Sequence, residues 1–166
     1  AMKDMYDFCR KITGTAEGQR MIISAWSISH GDTDHYRGFT RFIQAYHKDF
    51  DLKNVIYNFE IDNGTSYHFR RVTRHFPNVR YYKPHTGERF SIAGVNFDVL
   101  YTTEDRYSPS SSNTLTPHDS SCIAADYLNY NNTSTVFKMS FDGKTMILSG
   151  DIFKADAILM KMYPAS

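Results

Sequence analysis

Apolar residues recur at helical spacing in three parts of the chain, and this spacing predicts three helices. The first helix covers the opening dozen residues, the second begins near His35, and the third covers residues 67–76. Pro77 ends the third helix, because the residue before a proline resists helical geometry. The residues that form the first two apolar stripes are Met5, Phe8, Cys9, Ile12, Phe39, Phe42, Ile43 and Tyr46.

Short apolar runs between polar breaks predict strands. The longest, residues 21–28, has the length and composition of a buried strand. Asp142-Gly143 separates two apolar runs, which is the strongest short-range signal for a β-hairpin. Strands and helices alternate without internal repeats, so we expect one layered α/β domain over residues 1–166. The remaining predicted strands are 54–59, 79–82, 89–92, 95–101, 133–141 and 144–149.

A long polar stretch interrupts this alternation at residues 103–132, which are rich in Ser, Thr, Asn and Asp. Connections inside compact domains are usually much shorter. The stretch is therefore interpreted as a lid, an insertion or a partly disordered loop.

Charge and composition narrow the class of protein without identifying it. The chain has 166 residues, and 41% of them are hydrophobic, which is enough to fill a core. Lys and Arg (19) nearly balance Asp and Glu (18), so the net charge of +1 gives no global signal for nucleic acid or an anionic membrane. No apolar run is long enough to span a bilayer, and no signal peptide is visible. We therefore expect a soluble protein, with the cytoplasm slightly favoured.

Four potential metal ligands lie within six residues directly after the longest predicted strand, in the segment His30-Gly31-Asp32-Thr33-Asp34-His35. Imidazole and carboxylate ligands together suit zinc, manganese or iron. Two ligand pairs this close in sequence are also what a two-metal hydrolytic site requires. The alternative is a polar loop in which Asp32 or Asp34 caps the following helix. Two histidines alternating with two aspartates favour metal binding.

This segment resembles the metal-binding motif of the metallo-β-lactamase superfamily, HxHxDH, in the HxDxDH form of the hydrolase domain of ComEC-type competence proteins. Residues 131–137 are similar to the NNxSxV strand of that group, and residues 145–151 to its apolar strand ending in Gly-Asp. Residues 155–162 resemble the strand before the last metal-binding motif. The resemblance implies a metallo-β-lactamase-like αββα sandwich.

The resemblance also implies a set of site residues. His30, Asp34, His35 and Asp151 match metal ligands, with the Asp151 carboxylate bridging two ions, and Asp32 takes a position that is His in most members. Asp34 would be catalytic, because the equivalent residue orients the attacking water and accepts its proton. The implied cofactor is one or two ions, zinc above all, with manganese or iron as alternatives.

Two departures from the family pattern bear on function. Only a helix and one strand precede the motif, where the family has a strand hairpin, and the chain ends in Met-Tyr-Pro-Ala-Ser, where the family has a final His motif. The expected sandwich is therefore a truncated one. The first hypothesis is a metal-dependent hydrolase that activates water and acts on a small molecule or a phosphodiester. The alternatives are a catalytically inactive domain that serves binding or structure, and a fragment of an active enzyme whose other half supplies the hairpin and the last ligand. Strand edges exposed by the missing hairpin also favour a homo-oligomer.

Several polar residues outside the motif allow either a functional or an ordinary structural interpretation. A basic cluster around residues 68–80 would attract a phosphate-bearing substrate or nucleic acid, although a solvated helix face is the more common explanation. His85 and His118 are loop histidines that either approach the site or face solvent, and Asn131 is expected to support a ligand. The basic cluster consists of Arg70, Arg71, Arg74, Arg80, His68 and His75.

Overall fold

The computed structural model describes residues 2–59, 63–102 and 130–152 and shows a mixed α/β architecture, as predicted. The helices are α1 (Met2–Thr13), α2 (Thr33–Tyr46), α3 (Asn63–His75) and a 3-10 helix at Tyr130–Thr133. The strands are β1 (Met21–Ile23), β2 (Trp26–Ser27), β3 (Phe50–Leu52), β4 (Asn54–Ile56), β5 (Arg80–Tyr82), β6 (Arg89–Ile92), β7 (Val95–Tyr101), β8 (Val136–Phe141) and β9 (Lys144–Leu148).

Contacts along the chain divide it into two compact units. The first unit comprises Ala1–Ile28, Asp32–Ile56 and Glu60–Tyr82, and the second comprises Ser29–Gly31, Tyr57–Phe59 and Lys83–Ser166. The first contains the three α-helices with short parallel strands, and the second contains an antiparallel sheet.

Short parallel strands form the sheets of the first unit, where β1 pairs with β3 and β4 pairs with both β2 and β5. The continuous strand predicted for residues 21–28 is instead two strands, because the chain leaves the ladder between β1 and β2. The side-chain amide of Asn54 donates to the Ser24 carbonyl at 2.7 Å and satisfies the backbone at this break. Strand β3 was not predicted, since three residues with a central Asp51 carry little periodic signal.

Helices α2 and α3 connect parallel strands, as parallel pairing requires. The predicted stripe of α2 is confirmed, since Phe39, Phe42 and Ile43 are buried. The Phe42 ring lies 5.4 Å from that of Trp26 and 5.3 Å from that of Phe50, between centroids. This aromatic packing fixes α2 against β2 and β3. The packing of Trp26 also positions the end of β2, which the predicted metal-binding segment follows.

Helix α1 confirms the amphipathic helix predicted at the start of the chain. None of its residues is buried, and Phe8 and Ile12 are 60% and 62% exposed. Its main aromatic contact is a stack of Tyr6 on Tyr46, with ring centroids 4.2 Å apart. The helical periodicity was therefore correct, but it does not mark a core face.

The second unit is built on an antiparallel sheet with the order β6-β7-β8-β9. The hairpin between β8 and β9 is confirmed, since Asp142 and Gly143 both have positive φ, at +49° and +70°, as a two-residue type I′ turn requires. Across β6 and β7, the Arg89 guanidinium pairs with the Asp98 carboxylate at 2.7 Å. Tyr101 and Val136, on the paired strands β7 and β8, are fully buried.

Strand β9 is the last strand in this order within the described residues, and its side chains are exposed. Met146 and Ile147 are 61% and 58% exposed. The expectation that strand edges favour a homo-oligomer stays a prediction. No helix in the described ranges is both long and apolar enough to cross a membrane. The polar stretch predicted at residues 103–132 and the strand predicted at 155–162 lie almost wholly outside the described residues.

Candidate metal centre

His30 lies in the second unit, directly after the chain leaves β2, and is fully buried. Its Nδ1 atom lies 3.0 Å from the Ser29 hydroxyl and 3.2 Å from the Ser134 hydroxyl, both within hydrogen-bonding distance. Two hydroxyls therefore hold one edge of the imidazole in a fixed orientation. The opposite ring nitrogen, Nε2, is also buried.

Ser134 connects the two parts of the second unit that carry candidate ligands. It is fully buried just before β8, and its hydroxyl accepts a hydrogen bond from the Asp151 backbone N–H at 3.1 Å. The neighbouring Thr135 N–H donates to the Ser29 carbonyl at 2.9 Å. One buried serine thus contacts both the His30 ring and the backbone of Asp151.

Gly150 allows this close approach. Its φ is +58°, in the left-handed region that side chains disfavour. A Cβ atom at this position would lie 2.7 Å from the Ser134 hydroxyl oxygen and 2.9 Å from the Ser29 Cβ. Position 150 therefore requires a glycine, because a larger residue would not leave room for Asp151 to approach Ser134.

Two ligand atoms of the predicted site come close together within the second unit. A ring nitrogen of His30 lies within 4.8 Å of a carboxylate oxygen of Asp151. His30 is buried and Asp151 is exposed. The histidine and the distant aspartate thus offer ligand atoms at a separation suited to metal binding. His35 is half-buried on α2, in the first unit, and its assignment as a ligand stays a prediction.

The two aspartates inside the motif play different parts. Asp32 is the N-cap of α2, in extended geometry, and its carboxylate accepts from the Thr33 N–H at 3.2 Å. The capping role considered as an alternative is therefore present at Asp32. The Asp34 side chain is 81% exposed, and its carboxylate lies 3.8 Å from the His35 Nε2. Among the described residues, the close ligand set includes neither aspartate, and their assignment as ligands stays a prediction.

The other polar residues considered are not among these ligand atoms. His85 is exposed in the turn before β6, where its backbone N–H donates to the Glu88 carboxylate at 3.1 Å. Asn131 lies in the 3-10 helix, and its carbonyl accepts from the Ser134 N–H at 3.2 Å, so it supports the serine through the backbone. His118 lies outside the described residues.

Sequence reasoning missed the positioning residues. Ser134 and Gly150 belong to segments that carry the family resemblance, and Ser29 directly precedes the motif, yet no role was predicted for them. A signal was present: Ser134 and Thr135 are polar residues that directly precede the apolar start of β8. Buried hydroxyls in such a place require partners, and the partners of the Ser134 hydroxyl are the ring of one candidate ligand and the backbone N–H of another.

A scan of protein-family models and a search of curated protein sequences find no match to this chain.

Proposed function

We propose that the chain is a metal-dependent hydrolase in which His30, His35 and Asp151 bind a divalent transition-metal ion, zinc above all. The observation that carries the proposal is the closeness of a His30 ring nitrogen to an Asp151 carboxylate oxygen, within 4.8 Å for residues 121 positions apart (151 − 30). His35 is added to this pair because it matches a ligand of the family motif. Two imidazoles and one carboxylate form a ligand set used by catalytic zinc, which leaves a position for water. Manganese and iron accept the same ligands.

The environment of His30 fits a metal ligand. With its proton on Nδ1, the ring donates to one of the two serine hydroxyls, and Nε2 carries the lone pair that a metal requires. Hydrogen bonding of the other ring nitrogen is the usual way in which proteins orient ligating histidines. Ser29 and Ser134 would thus select the tautomer and hold the ring.

An ion bound there supplies Lewis acidity, which lowers the pKa of a water molecule toward neutrality. A side chain of the protein would accept the proton that the water loses. Asp34 is exposed and lies beside His35, so its carboxylate oxygen can accept a proton from water and release it to solvent. Asp32, as the cap of α2, would hold the start of the helix that carries both residues.

The proposals for the fold family and the substrate rest on the family resemblance. We propose a metallo-β-lactamase-like αββα sandwich, supported by the mixed α/β architecture and by the resemblance of the motif and Gly-Asp segments. The proposed substrate is a phosphodiester or another small molecule with a hydrolysable bond, because the HxDxDH form resembles that of ComEC-type proteins. A fold alone does not identify a substrate.

Metal content tests the proposal directly. We expect the purified protein to contain one or two zinc, manganese or iron ions per chain by elemental analysis, and His35→Ala to lose most of them, because one imidazole ligand is removed. The loaded protein should hydrolyse a chromogenic phosphodiester such as bis(p-nitrophenyl) phosphate.

His85→Ala provides a matched control, since it removes an exposed imidazole from the turn before β6 and should retain the full metal content. A protein that is folded but takes up no metal even when zinc is supplied would contradict the proposal. That result would favour the alternative, a domain that serves binding or structure.

Ser134→Ala should weaken the metal centre without removing a ligand. The substitution deletes a hydroxyl within hydrogen-bonding distance of His30 Nδ1 and accepting from the Asp151 N–H. Loss of a group that orients a ligand lowers metal affinity by about 10–100-fold. Competition with a chromophoric chelator measures this change. Ser140→Ala, which alters a partly exposed hydroxyl on β8, is the control, and equal affinities for the two variants would refute the positioning role.

A further inference from the structure

A shallow groove lies between α2 and α3 in the first unit. Its floor includes Ile43 and Val72, which are 2% and 1% exposed. Its polar lining offers hydrogen-bond donors of several kinds: a hydroxyl, a side-chain amide, two imidazoles and a guanidinium. These side chains belong to Thr40, Gln44, His68, His75 and Arg71.

Arginines outnumber carboxylates on the two helices, since α2 has one carboxylate, Asp34 in its first turn. Residues 35–48 and 63–76 contain arginines and a lysine but no Asp or Glu. Within the described residues, four of the arginines make no ion pair. Of these four, Arg71 lines the groove, and its positive charge attracts an anion even though the whole chain is nearly neutral. These arginines are Arg37, Arg41, Arg71 and Arg74.

The surroundings of His75 in the groove lining disfavour its charged form. Burial lowers the pKa of His75, and the nearby His47, Arg74 and Arg71 lower it further by charge repulsion. The rings of His47 and His75 lie 3.9 Å apart between centroids. His68, also in the lining, has a buried Nδ1 atom with no hydrogen-bond partner among the described residues.

We propose that this groove binds a phosphate group, with the Arg71 guanidinium as the charged donor and the His75 and His68 rings as further donors. A guanidinium matches the oxygens of a phosphate with two parallel N–H donors, and charge-assisted hydrogen bonds of this kind are strong. Gln44 and Arg71 are exposed, so a phosphate that they contact can belong to a larger molecule. The inference goes beyond the proposed hydrolase and does not depend on a metal ion.

The test is a titration of the metal-free protein with inorganic phosphate, after chelator treatment and dialysis. Two-dimensional ¹H–¹⁵N spectra of the histidine rings should show saturable shifts at His75 and His68, with the pKa of His75 raised by the bound anion. Chloride at equal ionic strength should not produce these shifts. A phosphate response that is absent or does not saturate would overturn the proposal, whatever the metal content of the protein.

Matched variants on α3 locate the binding. Arg71→Gln should weaken phosphate binding by about tenfold or more, since a hydrogen bond to a charged group contributes about 1.5–3 kcal/mol and 1.4 kcal/mol is tenfold. Arg74→Gln removes the same charge from an exposed residue outside the groove lining and should weaken binding by about twofold at most. Equal effects of the two substitutions would show non-specific attraction and refute the groove as a site.

A second arm of the titration identifies the source of the phosphate. A phosphomonoester and thymidine oligonucleotides of increasing length are compared under the same conditions. Affinity that reaches its full value with one phosphate supports a free phosphate compound. Affinity that grows with length and falls steeply with salt supports a phosphodiester backbone. Arg71→Gln must weaken whichever ligand binds, and an oligonucleotide insensitive to that substitution would count against the groove.

Discussion

Asp151→Asn should lower metal affinity by at least about 100-fold and reduce hydrolysis in parallel, while the protein stays folded. Loss of a group that merely orients a ligand already costs about 10–100-fold in affinity, and here the carboxylate proposed as a ligand is lost. The Asp151 side chain is exposed, and the hydrogen bond to Ser134 uses its backbone N–H, which the substitution retains. The change in the free energy of unfolding should therefore stay within about 0.5 kcal/mol.

Zinc titration against a competing chelator, together with urea denaturation of the metal-free protein, measures both quantities. Asp142→Asn is the matched control, because it removes the same charge from an exposed residue of the same sheet whose φ of +49° asparagine tolerates well. If both variants bind zinc as the unaltered protein does, Asp151 is not a ligand and the proposed centre fails.

Gly150→Ala should destabilise the protein by about 3 kcal/mol and disturb the metal centre as well. Two costs combine: a left-handed conformation costs a residue with a Cβ about 1–2 kcal/mol, and forcing a group into a filled space costs about 1–3 kcal/mol. The added Cβ would meet the Ser134 side chain at 2.7 Å. Because that serine also contacts His30, relief of the overlap should displace the histidine.

The matched control is Gly143→Ala in the hairpin turn. Gly143 has a similar φ of +70°, but a Cβ there would meet nothing within 4 Å, so only the conformational cost of about 1–2 kcal/mol applies. Urea denaturation gives the two free energies, and chelator competition gives the metal affinities. Similar losses of stability in both variants, with zinc affinity unchanged in Gly150→Ala, would contradict the tight packing around Ser134.

The elements that sequence predicted well are those governed by local interactions. The turn at Asp142 and Gly143 needs two residues with positive φ, and an Asp-Gly pair meets that need wherever it occurs. Likewise, the apolar stripe of α2 is a property of its own spacing, and the structure buries Phe39 and Phe42 as expected. Such features require no knowledge of distant residues.

Strand continuity and burial depended on distant partners. Residues 21–28 look like one strand, yet the side chain of Asn54 fills the break between β1 and β2 from the neighbouring strand. The stripe of α1 looks like a core face, yet Phe8 remains 60% exposed. Local periodicity predicts neither outcome, because strand pairing and burial depend on which distant residues pack against a segment.

The sequence by itself determined the α/β class, the three α-helices, the hairpin and the concentration of potential ligands at residues 30–35. It also marked Asp151, through the Gly-Asp pair. Only the tertiary structure decided how these ligands are supported, because Ser134 contacts both His30 and the backbone of Asp151 across long separations in sequence. It also placed Arg71 and His75 along one groove. Such contacts form when folded backbones approach each other, and residue order alone does not specify that approach.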